Sequence, residues 1–136
     1  MRRRRFATLA LATAVLPALP ARAEDRPPRR ERIQFGPGAS GAIVRGQVHG
    51  YDVVDYVLGA GAGQRMTVIL VGDNLSGYFN VTAPGAPEAL PGAVTVTRFD
   101  GALPVAGDYT IRVYLMRNAA RREETMSFTL AVAIGA

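Results

Sequence analysis

Residues 125–134 read TMSFTLAVAI, in which Met126, Phe128, Leu130, Val132 and Ile134 alternate with Ser127, Thr129, Ala131 and Ala133. A period of two belongs to an extended strand whose large side chains share one buried face while small or polar ones share the other. The stretch before it repeats the pattern. Tyr109, Ile111, Val113 and Leu115 form an inward set, and Thr110, Arg112, Tyr114 and Met116 an outward one. Working outward from these two, the alternation persists back to Ile33, broken by glycine or proline roughly every eight to twelve residues. The spacing predicts strands over 32–36, 42–49, 51–59, 65–72, 77–82, 93–99, 108–116 and 125–134. That pattern specifies an all-β fold, an antiparallel sandwich of about eight strands, with no helical period longer than a turn or two. GAGAG at 59–63 falls between two strands and reads as a hairpin turn. Asp73-Asn74, Pro84-Gly85 and Ala106-Gly107-Asp108 read as turns that supply or tolerate positive φ.

The chain has 136 residues, sixteen cations against eleven carboxylates, and a formal net charge of +5. Every cation is arginine, and five of them lie in the first 23 residues. Residues 1–23 have the form of a secretory signal peptide: Arg2 to Arg5, an apolar run from Phe6 to Leu16, the breakers Pro17 and Pro20, then Ala21-Arg22-Ala23 as a small-x-small cleavage site. The apolar run is well short of the roughly 20 residues that span a bilayer. Cleavage after Ala23 leaves eleven arginines facing eleven carboxylates, a neutral chain. The positive field that would gather nucleic acid goes with the leader, so neither a nucleic-acid partner nor a membrane partner is expected afterwards. The expected address is the periplasm. Residues 24–32, EDRPPRRER, contain no apolar side chain and read as a flexible charged linker. The β-sandwich domain then occupies 33–136.

Catalytic sets are scarce. With no cysteine and one histidine, thiolate chemistry and multi-histidine zinc sites are excluded, and no cofactor is expected. His49 lies near Asp52 and Asp55, but Ser40, Ser76 and Ser127 carry no nucleophile context. The carboxylate pairs Asp52 with Asp55 and Glu123 with Glu124 are the residue types of a glycosidase, yet they fall in turns of a small sandwich. Asp73, Asn74 and Asp108 lack the spacing of a calcium loop. The chain reads as a non-enzyme.

One segment is unusual. Residues 108–124, DYTIRVYLMRNAARREE, run a strand into Arg117, Asn118, two alanines, Arg121 and Arg122. Read as a hairpin loop, it holds three guanidiniums that the alanines leave unscreened. A helical turn would set Arg117 and Arg121 on one side. Guanidinium forks suit an acidic partner surface; the same arginines could equally be paired locally with Glu123, Glu124, Asp52 or Asp55.

Gly46-x-Val48-x-Gly50-Tyr51-Asp52 with Tyr56, then Ala62-Gly63-Gln64-x-Met66-x-Val68, and Leu103-Pro104-x-x-Gly107-x-Tyr109-x-Ile111-Arg112-Val113 are the remaining motifs. Together with Arg117-Asn118-x-Ala120-Arg121-Arg122 they resemble the periplasmic inhibitors of goose-type lysozyme, across 33–134. Parts of the pattern are shared with pre-peptidase C-terminal-like β-sandwich modules; the arginine segment and Gly50-Tyr51-Asp52 are what separate the two. The resemblance implies a protein partner, goose-type lysozyme, contacted through Tyr51, Arg117, Asn118, Arg121 and Arg122. It implies inhibition by filling an acidic cleft. The alternative is a non-catalytic module that shares only the fold and binds envelope glycan or protein.

Overall fold

A computed structural model describes residues 26–136. The signal peptide expected over 1–23 and the first two linker residues lie outside the described residues. Eight strands and one short helix follow in order: β1 Arg29–Arg32, β2 Gly41–His49, β3 Val54–Ala60, β4 Arg65–Gly72, β5 Gly77–Thr82, β6 Arg98–Ala102, β7 Gly107–Leu115, α1 Arg117–Arg121 and β8 Thr125–Gly135. They make two four-stranded sheets, ordered β1-β3-β7-β5 and β2-β8-β4-β6. Odd-numbered strands form one sheet and even-numbered strands the other, so every connection passes between sheets. All ladders are antiparallel except β1 with β3.

The alternation seen in the sequence decides what lies between the sheets. Met126, Phe128, Leu130 and Val132 of β8 are buried, as are Tyr109, Ile111, Val113 and Leu115 of β7. Tyr56 crosses from β3 to meet Phe128 edge-on, with ring centroids 6.2 Å apart. Its hydroxyl reaches toward β2 at Gly46, where a Cβ would stand 2.6 Å from the hydroxyl and 2.7 Å from Phe128 Cζ. Burial pushes the Tyr56 phenol above its ordinary value, with Glu31 adding to the effect and Arg29 opposing it. Tyr109 satisfies its own hydroxyl locally, donating to the Val105 carbonyl at 2.6 Å. On the outer face Arg112 makes a bidentate pair with Asp55 of the neighbouring strand, at 2.8 and 2.9 Å, as its outward position in β7 foretold.

Four expectations need correction. Arg29–Arg32 is not a flexible linker: it adds in parallel to β3, and Ile33 N–H continues the ladder to the Val57 carbonyl at 2.9 Å. An edge strand can take its order from backbone bonds while its side chains stay in solvent, which a composition argument does not see. The strand expected over 93–99 begins only at Arg98, because Thr95 turns to φ 52°. Its N–H donates to Asn80 Oδ1 at 2.7 Å, leaving one isolated bridge between Phe79 and Val96. GAGAG is no hairpin: β3 and β4 lie in different sheets. The same holds for the arginine segment, since β7 and β8 belong to opposite sheets.

Candidate functional site

Three sheet-to-sheet connections meet at one end of the sandwich: 50–53 after β2, 73–76 after β4, and 116–124 after β7. Backbone and side-chain bonds join them. Gly50 N–H donates to the Glu124 carbonyl at 2.8 Å, and Met116 N–H to the Ser76 carbonyl at 2.8 Å. Asn74 Nδ2 donates to Glu124 Oε1 at 3.0 Å and to the Thr125 carbonyl at 3.3 Å. His49 Nδ1 lies 2.8 Å from Thr125 Oγ1, in the last rung between β2 and β8. The end is therefore one hydrogen-bonded surface rather than three separate loops.

The arginine segment folds as a single helical turn. Ala119 and Ala120 are buried. They plug the end of the core, so the two alanines serve as the packing face and not as bare space between guanidiniums. Arg117, Asn118 and Arg121 are left outward and exposed. Asn118 Oδ1 accepts the Ala119 N–H at 2.8 Å, and Arg121 sits in the last turn, where a cation complements the carbonyl end. The turn then stops sharply. Glu123 takes φ 56°, its N–H donates to the Ala120 carbonyl at 3.0 Å, and Glu124 N–H donates to the Ala119 carbonyl at 3.1 Å. That is a Schellman stop with glutamate in the left-handed position usually given to glycine.

Gly50 explains the start of the other connection. It is buried with φ 58°, and the Ala120 carbonyl stands 3.7 Å from where a Cβ would be. Glycine lets the chain turn under α1 and deliver Tyr51 to its side. Tyr51 and Arg121 then line one hollow of about 150 Å³, together with His49, Asp52, Ala120 and Glu123.

The structure thus brings Tyr51, Arg117, Asn118 and Arg121 to one end. The Arg121 side chain has no hydrogen bond or ion pair to any described residue. Arg122 differs: its Nε donates to Glu124 Oε2 at 2.7 Å. Asn74 and Arg122, in that order of effect, hold the Glu124 carboxyl below its ordinary value. The local-pairing reading is met at Arg122 and not at Arg121.

The carboxylates weighed for chemistry are drawn apart. Asp52 pairs with Arg26 at 2.9 Å and Asp55 with Arg112. Asp108 pairs with Arg32 at 2.6 Å at the start of β7, the opposite end from Asp73 and Asn74, so the three do not form a calcium loop. Among the described residues no group of three or more His, Asp or Glu could hold a metal ion. Sequence reasoning missed the 73–76 connection as part of this end. Its one signal, the Asp73-Asn74 turn, specifies a turn but not which other turns it touches.

No family model matches the chain. The chain is 27% identical over 106 residues to the inhibitor of g-type lysozyme of Escherichia coli strain K12, spanning 75% of this chain and 78% of that protein. It is 40% identical to Aeromonas hydrophila PliG, a periplasmic inhibitor of g-type lysozyme, whose crystal structure superposes with a TM-score of 0.69 over 79% of this chain and 96% of that one. The pre-peptidase C-terminal domain of a Bacillus anthracis collagenase matches at a TM-score of 0.51 and 13% identity, covering 81% of this chain and 98% of that chain, a likeness of fold alone. With that identity to the Aeromonas protein over nearly its whole length, and that superposition, the chain belongs to the family of periplasmic inhibitors of g-type lysozyme.

Proposed function

We propose that this chain is itself a periplasmic inhibitor of goose-type lysozyme, and that Tyr51, Arg117 and Arg121 are its principal contacts, with Asn118 beside them. The observation that carries the reading is the joint placement of Tyr51 and the exposed, unpaired Arg121 on one hollow of a firmly bonded end. A muramidase cleft is polar and built around carboxyl groups. An inhibitor needs no chemistry; it must fill the cleft and satisfy the acids it desolvates. A guanidinium does so bidentately, and a helical turn plugged into the core loses less entropy on binding than a free loop. Tyr51 adds a stiff aromatic surface with a hydroxyl. Arg122 braces Glu124, so its part is to hold the end in shape.

The test is peptidoglycan clearing by goose-, chicken- and invertebrate-type lysozymes with the purified domain. Inhibition of the goose type is expected. Arg117→Ala and Arg121→Ala should each weaken it by about 2–5 kcal/mol, the usual loss when one member of a buried, hydrogen-bonded charge pair is removed. Arg45→Ala, exposed in the middle of β2, should change little. Equal small losses for all three would mean that diffuse charge does the binding. Inhibition of none of the lysozymes would leave the non-inhibitory binding module as the reading.

A further inference from the structure

Leu75 is 96% exposed. A single exposed aliphatic residue is ordinary on a surface, but this one stands on a turn with no slack. Ser76 N–H donates to Asn74 Oδ1 at 2.9 Å, Gly77 N–H to the Asn74 carbonyl at 3.2 Å, and Met116 N–H to the Ser76 carbonyl at 2.8 Å. On the other side, Ser127 N–H donates to Asp73 Oδ1 at 2.9 Å while Asp73 N–H returns a bond to the Ser127 carbonyl at 3.1 Å. The backbone on both flanks of Leu75 is held by neighbours, and the side chain is held out into solvent. At that exposure its apolar character contributes almost nothing to the fold's own core.

Its position matters as much. Glu124 joins two turns: its carbonyl accepts from Gly50, next to Tyr51, and its carboxylate accepts from Asn74, next to Leu75. Tyr51 and Leu75 therefore flank one residue at the same end of the molecule, with Arg121 on the Tyr51 side.

We propose that Leu75 is an apolar anchor of the lysozyme-binding surface, docking into an aliphatic or aromatic recess on the rim of the partner's cleft while Tyr51 and Arg121 meet its polar interior. The inference rests on the inhibitor reading above. Because the turn is already ordered, burying the side chain costs little beyond its own rotamers, and the transfer of a whole leucine out of water is available to binding.

The experiment measures inhibition constants against a goose-type lysozyme for the unaltered domain, Leu75→Ala, Leu75→Asp and Val105→Ala, with a melting temperature for each. Val105 is a partly exposed apolar residue at the opposite end and serves as the control. Leu75→Asp should weaken inhibition roughly ten- to a hundred-fold and Leu75→Ala somewhat less, both melting like the unaltered domain. Val105→Ala should inhibit normally, and amide exchange over 73–76 should slow in the complex. If Leu75→Asp melts early, Leu75→Ala carries the comparison. Leucine variants that inhibit as well as the unaltered domain overturn this inference and leave the inhibitor reading standing. An unaltered domain that inhibits no goose-type lysozyme overturns both.

Discussion

Single residues explain why certain glycines sit in the motifs. Gly46 is small because Tyr56 and Phe128 occupy the space its side chain would need. Gly50 is small because the backbone turns left-handed beneath α1. The sequence pattern marked both positions without distinguishing these reasons, since steric room and φ are invisible to periodicity. Gly46→Ala should cost about 1–3 kcal/mol, as for other overpacked cores. The penalty should shrink in a Tyr56→Phe background, where the nearer of the two obstructing atoms is gone. Denaturant midpoints of the four proteins of the cycle decide it. Equal penalties in both backgrounds would mean that the hydroxyl does not fill the glycine's space. The exposed arginines were equally legible as residue types, and equally illegible as partners: nothing in the spacing said that Arg122 turns back to Glu124 while Arg121 does not.

At the scale of the element, the strands were readable and their neighbours were not. β4 and β5 stand where the alternation put them, β2 and β8 are longer by one residue at one end, and β7 lies one residue earlier at both ends. Period two fixes which side chains share a face, but it carries no information about which sheet a strand joins, so two crossings were mistaken for hairpins. The helical turn was legible only as a condition on the spacing of Arg117 and Arg121, because five residues give no period; what makes it is burial of Ala119 and Ala120 and the stop at Glu123. Glu124 locks that stop to the 73–76 turn, and this has a pH signature. Its folded pKa lies below the ordinary 4.5. A lowered carboxylate stabilises the fold fully above its unfolded value, and the contribution fades as pH falls through the lower, folded one. Glu124→Gln should therefore reduce the melting temperature at neutral pH and narrow the gap to the unaltered protein toward the acid side of that range. A gap that stays constant with pH would remove the charge from the explanation. Since Glu124 also joins the three connections at that end, amide exchange at 73–76 should quicken in the same variant.

For the whole molecule, the eight-strand sandwich was legible because its core is written as alternation, and β8 is where that core is most concentrated. It lies between β2 and β4, and Leu130 is paired across to Val44 on one side and Leu70 on the other. Leu130→Ala should cost roughly 2–5 kcal/mol, read from denaturant unfolding. In a domain whose stability is on the order of 5–15 kcal/mol that is a large share. A melting temperature left unchanged would mean that the row does not hold the sheets together. The strict alternation of strands between sheets has a further meaning. No strand pairs with the one before or after it, so no β-hairpin can form early as a local nucleus, and β2 must wait for β8, the last strand of all. Chains built from such distant pairings fold slowly, typically in milliseconds to seconds. The consequence is a sandwich that stays half open until late: one sheet can assemble without β8, but β2 cannot join β4 and β6 until β8 has been delivered between them.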